Sequence, residues 1–179
     1  MSRARWIAPI LAALLAVQSA GGAATHVALP SIQESIIIPG GSPLTFKSFD
    51  KDAITAHFAG QIQLSGTYYY GNLVYQDASN DKAAYFRPDA ASMARLPYFK
   101  EHGRPDDIFL SNPAAFERAV VPSGTKMRKS APYATGHITI IVDQFEASIE
   151  CDAPNFSARF VSIVTPAPVR MAAMPDTGC

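Results

Sequence analysis

From residue 54 to residue 70 apolar and polar side chains alternate with a period of two. Ile54, Ala56, Phe58, Ile62, Leu64, Tyr68 and Tyr70 share one parity, and Thr55, His57, Gln61, Gln63, Ser65 and Thr67 share the other. Successive strand residues point to opposite faces, so this pattern predicts one long strand with a buried face and a wet face. Gly60 and Gly66 lie on the apolar parity, where a missing side chain lets a long strand bend sharply. Gly71-Asn72 fits a two-residue hairpin turn. Residues 73–76 then read as a second strand, 77–82 as a polar turn and 83–87 as a third strand.

A second long alternating stretch covers 137–151. Ile138, Ile140 and Val142 fall on one parity, then Phe145, Ala147 and Ile149 on the other. The switch of phase near Asp143 predicts a bulge or sharp bend. A turn is expected over 152–155 and a last strand over 156–164. Between the two β regions, Asp89 is a candidate N-cap for a helical turn over 90–95, which Pro97 ends. Residues 108–110 read as a small strand. Asn112-Pro113 starts a helix that runs to about residue 120, with Pro122 as its stop. Three strands, a helix and two strands, opened by a long bent strand, predict a mainly β fold with one or two short helices. The order matches a small OB-like five-stranded barrel or a closely related curved antiparallel sheet. An open α+β sheet built from the same elements is the alternative. No internal repeat is visible.

The N-terminus changes the picture of where the chain works. Arg3 and Arg5 precede an apolar run over 6–17, and small residues fill 19–24. This is the signature of a cleavable secretory signal over 1–24, with a run too short to span a bilayer. The expected organisation is therefore a signal peptide over 1–24, a lead-in or arm over 25–52, a single β domain over 53–165, and a disordered tail over 166–179. The lead-in carries a β-branched run at 35–38, a Pro/Gly breaker at 39–43 and an extended stretch at 44–49. The Ala-rich, cysteine-poor composition points to a secreted, periplasmic protein without a membrane span once the signal is removed. The expected mature chain has 15 acidic residues against 13 basic, and so lacks the basic stripe of a nucleic-acid binder.

Candidate chemistry is sparse. Cys151 and Cys179 form an even pair that an oxidising compartment allows to close as a disulfide; a buried Cys151 and a free terminal thiol is the competing reading. Ser123-x-x-Lys126 has the spacing of a lysine-activated serine but lacks the partner motifs of that class. The basic cluster Lys126, Arg128, Lys129 reads as a solvated loop. Asp77-x-Ser79-x-Asp81 opens like a calcium loop, yet Lys82 stands where glycine is needed and Pro88 where glutamate is. Asp50 with Asp52, and Asp106 with Asp107, read as solvated loop acids. Asn155-Phe-Ser157 has the form of a glycosylation site, meaningful only in a eukaryotic secretory pathway. No cofactor or metal is expected.

Two constellations remain. His57 and His137 on neighbouring strands, with Asp143 or Glu146, are the residues a small metal-dependent or general acid–base hydrolase would use. Tyr68, Tyr69, Tyr70, Tyr75, Tyr85 and Phe86 crowd the first strands, and the parity of Tyr69 places it outside. Tyr69, Tyr75 and Tyr85 are thus the candidate ligand-binding residues. The sheet face they occupy is the one on which OB-like barrels carry oligonucleotides and oligosaccharides. With a near-neutral chain the leading expectation is a non-enzymatic binding module for a saccharide, peptide or protein partner. A structural subunit of an envelope assembly, reached through the tail or Cys179, is the third reading.

Overall fold

A computed structural model describes residues 22–29, 35–72, 82–122, 133–166 and 168–172. The expected signal segment through residue 21, the 73–81 segment with its calcium-like acids, the 123–132 segment with Ser123 and the basic cluster, and Tyr75 and Cys179 lie outside the described residues. The elements in chain order are β1 (Thr25–Ala28), β2 (Ser35–Ile38), β3 (Thr45–Asp50), β4 (Thr55–Ala59), β5 (Gln61–Asn72) and β6 (Lys82–Pro88). There follow α1 (Ala90–Met93), β7 (Tyr98–Phe99), β8 (Ile108–Leu110), α2 (Pro113–Val120), β9 (Tyr133–Glu150), β10 (Ala153–Thr165) and β11 (Arg170–Ala172).

The fold is mainly β, and its principal sheet is strongly curved. β9 is the spine: β5 and β4 pair antiparallel with successive stretches of one side, and β10 and β11 with the other. β6 pairs with β5 and β8 with β6, and a short parallel contact joins β8 to β10. The pairings therefore run from β9 through β5, β6 and β8 to β10 and back to β9. β3 extends the sheet beyond β4, and β1, β2 and β7 form a separate three-stranded sheet.

The predicted alternation holds except at its ends, where Ile54 falls in the turn before β4 and Ile149 is only half-buried. Ala56, Phe58, Ile62, Leu64, Tyr68 and Tyr70 are buried, as are Ile138, Ile140 and Val142 before the phase switch and Phe145 and Ala147 after it. The switch is made by Gln144, whose φ of 47° lies in the left-handed region that non-glycine residues rarely adopt. Opposite it, Gly60 (φ 109°) breaks the predicted long strand into β4 and β5. A Cβ on Gly60 would stand 2.7 Å from the Pro43 carbonyl oxygen, so only glycine fits the corner.

Several expectations are corrected. Gly71 and Asn72 are not a turn but the last residues of β5, paired with Ala83 and Lys82. Gly71 is also paired with Tyr133 on the other side, and sheet pairing on both flanks overrides the local turn preference of Gly-Asn. The predicted third strand is thus the partner of β5, and the small 108–110 strand takes the next place. The lead-in contributes Ile36, Ile38 and Leu44 to the same core as the long strands. Within the tail, β11 pairs with Tyr133–Thr135 of β9, so residues 170–172 are ordered as a strand. The turn expected over 152–155 tightens to Cys151-Asp152, both at positive φ, with Ala153 already paired to Glu150. That geometry matches the primed two-residue hairpin turns, whose twist suits the flanking strands.

Helix α2 closes one end of the curved sheet. Its amphipathic pattern buries Phe116 completely, with ring centroids 5.2 Å from Tyr68, 6.4 Å from Tyr70 and 5.2 Å from Phe160. Neither expected N-cap makes a side-chain capping bond. The Asn112 amide instead accepts from the Phe160 N–H (2.8 Å) and donates to its carbonyl (2.9 Å), tying α2 to the edge of β10. Asp89 turns its carboxylate toward His137. The Tyr70 hydroxyl bonds Glu117, and burial with that bond raises its pKa; the Glu117 carboxyl is lowered by hydrogen bonds from Lys82 and Tyr70. Tyr68, wholly inside, is pushed up to about 12 by burial.

Candidate functional site

The outward row of the sheet is built by register. Phe109 of β8 lies opposite Tyr85 of β6, Tyr85 opposite Tyr69 of β5, and Tyr69 opposite Thr135 of β9. Hydrogen-bonded strands are about 4.8 Å apart, so three aromatic side chains on adjacent strands span about 10 Å across the sheet. All three are half-buried. The Tyr85 and Phe109 rings are tilted with centroids 5.6 Å apart, and the Arg87 guanidinium lies 5.9 Å from the Tyr69 ring centre. Asp107 accepts two hydrogen bonds from Arg87, at 3.0 and 2.7 Å, which neutralises the guanidinium beside the tyrosine. The row is a shallow, nearly neutral aromatic strip. Tyr69 and Tyr85 are thus brought together as expected. Phe109 was not among the expected residues; its place in a three-residue strand between charged and proline-rich stretches gave no parity to read.

The histidine constellation separates. His57 Nδ1 lies 3.0 Å from Glu146 Oε1, whose other oxygen accepts from the Ser157 hydroxyl at 3.1 Å. His137 lies opposite Thr67, nine residues earlier on β9, and its Nε2 is 2.9 Å from Asp89. Nine residues of β9 separate the two positions and each imidazole is bonded to a different acid, so the two are not brought together at one site. Among the described residues no three His, Cys, Asp or Glu side chains are grouped to hold a metal ion. Asp143 belongs to neither histidine; it accepts two hydrogen bonds from Arg159, at 2.8 and 2.7 Å. Those bonds hold its carboxyl below the ordinary range.

This pair carries a pH prediction. A carboxyl whose folded pKa is depressed stabilises above its unfolded pKa, and loses that contribution as pH falls through the folded value. Asp143→Asn is therefore expected to be less stable than the wild type at pH 7 and to converge with it at pH 2–3. Urea midpoints across that range check it; an unchanged gap would show that the pair does not couple to folding.

Cys151 is exposed at the tip of the β9–β10 hairpin, not buried. Asp50 Oδ1 accepts from the Asp52 and Ala53 N–H groups and so organises the β3–β4 turn. Asn155 is exposed on β10, where its amide donates to Glu150. Among the described residues no helix is long and apolar enough to cross a membrane. No family model, no curated protein and no solved structure matches the chain.

Proposed function

We propose that this chain is an extracytoplasmic, non-enzymatic binding module of OB-like architecture that recognises an uncharged, extended ligand through the Tyr69–Tyr85–Phe109 strip. The observation that carries this reading is the crosswise row of three half-buried aromatic side chains on adjacent strands. Aromatic faces on a sheet bind flat, partly apolar groups by stacking, and the strip is long enough for two or three sugar rings or an extended peptide segment. The compensated Arg87–Asp107 pair favours a neutral ligand over an anionic one. The apolar signal-like segment at the N-terminus supports a working place outside the cytoplasm.

Stacking on one aromatic ring contributes about 1–3 kcal/mol. Tyr69→Ala and Tyr85→Ala are therefore each expected to weaken binding about tenfold, with Tm within a few degrees of wild type. Calorimetric titration with chito-, cello- and malto-hexaoses and an uncharged extended peptide, on wild type and both variants, tests this. Tight binding of any probe that both variants retain would overturn the strip as the site. Unfolding of both variants would make the tyrosines core residues and remove the reading.

A further inference from the structure

Three backbone irregularities meet at one place on the principal sheet, away from the aromatic strip. Phe46 pairs with Phe58 and Ser48 with His57, so Lys47 is the extra residue of a β-bulge. Gln144 holds its left-handed φ inside β9, and Gly60 its φ of 109° at the start of β5. Bulges re-aim side chains, and strained non-glycine residues cluster where function over-determines them. The other non-glycine residues at positive φ, Ile54, Cys151 and Asp152, lie in turns. Among the described residues only Gln144 carries the strain within a strand.

A groove lies over this corner. It has two adjoining lobes of about 240 and 340 Å³ that share Lys47, Phe58 and Gln144, one extending to His57 and Glu146 and the other to Gln61 and Asp143. The acids on its walls are already hydrogen-bonded. Asp143 is held by Arg159, and both oxygens of Glu146 are engaged by His57 and Ser157. Lys47, Gln61 and Gln144 make no side-chain hydrogen bond or ion pair among the described residues, and the Gly60 floor carries no side chain. In the lobe that reaches Gln61, where Asp143 paired with Arg159 is the acid on the wall, the groove therefore offers one unpaired ammonium and two free amides around a concave space of small-molecule size. Bidentate arginine and helix N-termini, the usual means of holding phosphate, do not line it.

We infer that this groove is a second binding site, for a carboxylate group, with the Lys47 ammonium and the Gln61 and Gln144 amides as its donors. The carboxylate belongs either to a peptide C-terminus or to a small organic acid. Both present the same monoanionic, planar acceptor to a single ammonium flanked by amides.

The test follows the side-chain amide signals of Gln61 and Gln144 by ¹⁵N NMR in the full chain during separate titrations. The probes are acetate, citrate, N-acetyl-alanyl-alanine and its C-terminal amide. The two glutamine signals are expected to move with carboxylate probes and stay still with the amide. Acetate and citrate moving them while the peptide does not would name a small acid as the ligand, and a stronger response to the peptide would name a C-terminus. Lys47→Met, at an exposed position, is expected to weaken the response about tenfold, the loss of one charge-assisted bond. Gln144→Gly relieves the left-handed strain and is expected to raise Tm while weakening the same response. Tyr69→Ala leaves this titration unchanged, which separates the groove from the aromatic strip. Equal response to the peptide and its amide, or none to any carboxylate, overturns the inference.

Discussion

Phe116→Ala is expected to lower stability by about 3–5 kcal/mol, the range for truncating a buried phenylalanine. For a domain of this size that corresponds to a fall in Tm of roughly 6–20 °C. The effect is large because Phe116 is the one fully buried residue of the eight-residue α2, and its ring touches three partners from two strands: Tyr68 and Tyr70 of β5 and Phe160 of β10. Removing it leaves a cavity that two buried tyrosines and a phenylalanine cannot collapse to fill while their strands stay paired. Total stabilities are only 5–15 kcal/mol, so much of the margin is lost. Phe116→Leu, which keeps most of the volume, is expected to lose less than half as much. Thermal unfolding followed by near-ultraviolet circular dichroism checks both. A loss below about 1 kcal/mol for Phe116→Ala would show that α2 docks weakly and does not close the end of the sheet.

Which residues face inward was legible from parity alone, because a one-residue slip would move a strand's whole apolar set to water. The 54–70 alternation places Tyr68 and Tyr70 in the core and Tyr69 outside, and the structure buries the first two and half-exposes the third. The switch between Val142 and Phe145 announced the Gln144 bend for the same reason: two core residues three apart cannot share a face unless the backbone reverses its phase. Phe46 and Phe49 carry that same spacing, and between them sits the Lys47 bulge. The signal for half of the groove was therefore present in the 44–49 stretch, and a reading of that stretch as an arm passed over it.

Pairing was not legible. Nothing local says that His57 lies opposite Glu146 while His137 lies opposite Thr67; both histidines have Thr or Gln neighbours on their strands. Their separation follows from β9 being long enough to pair with both halves of the broken strand, a property of register that single-strand patterns do not contain. Turn chemistry misled for a related reason. Gly71-Asn72 satisfies a hairpin locally, but pairing with β6 on one side and β9 on the other outweighs a preference worth a fraction of a kcal/mol per residue. Phe109 illustrates the remaining gap, since only the β6–β8 register sets it beside Tyr85.

Gly66→Ala is the second variant expected to be severely destabilised, by about 3 kcal/mol, the upper end for overpacking a closed site. Gly66 lies opposite Pro88, the last residue of β6, and a Cβ there would stand 2.1 Å from the Arg87 carbonyl oxygen and 2.9 Å from the Pro88 Cα. Both are backbone atoms, so no side-chain rotation relieves the clash. Retreat of β6 is blocked as well. The Asp89 N–H donates to the Ser65 carbonyl at 2.8 Å and the Ser65 N–H to the Ser92 hydroxyl at 2.9 Å, which clamp the start of α1 onto β5 beside the glycine. Moving the strand away to admit a methyl group breaks those bonds and shifts Arg87 from under Tyr69, so the aromatic strip loses an edge along with the fold. Gly41→Ala is the control. Its φ of 79° strains an alanine, but nothing lies within 4 Å of the new Cβ, so the loss is confined to about 1 kcal/mol of backbone strain. Urea unfolding of the two variants side by side separates close approach from backbone conformation. Equal losses would mean that the β5–β6 contact at Gly66 is looser than the ladder places it, and that curvature here comes from Gly60 and Gln144 alone.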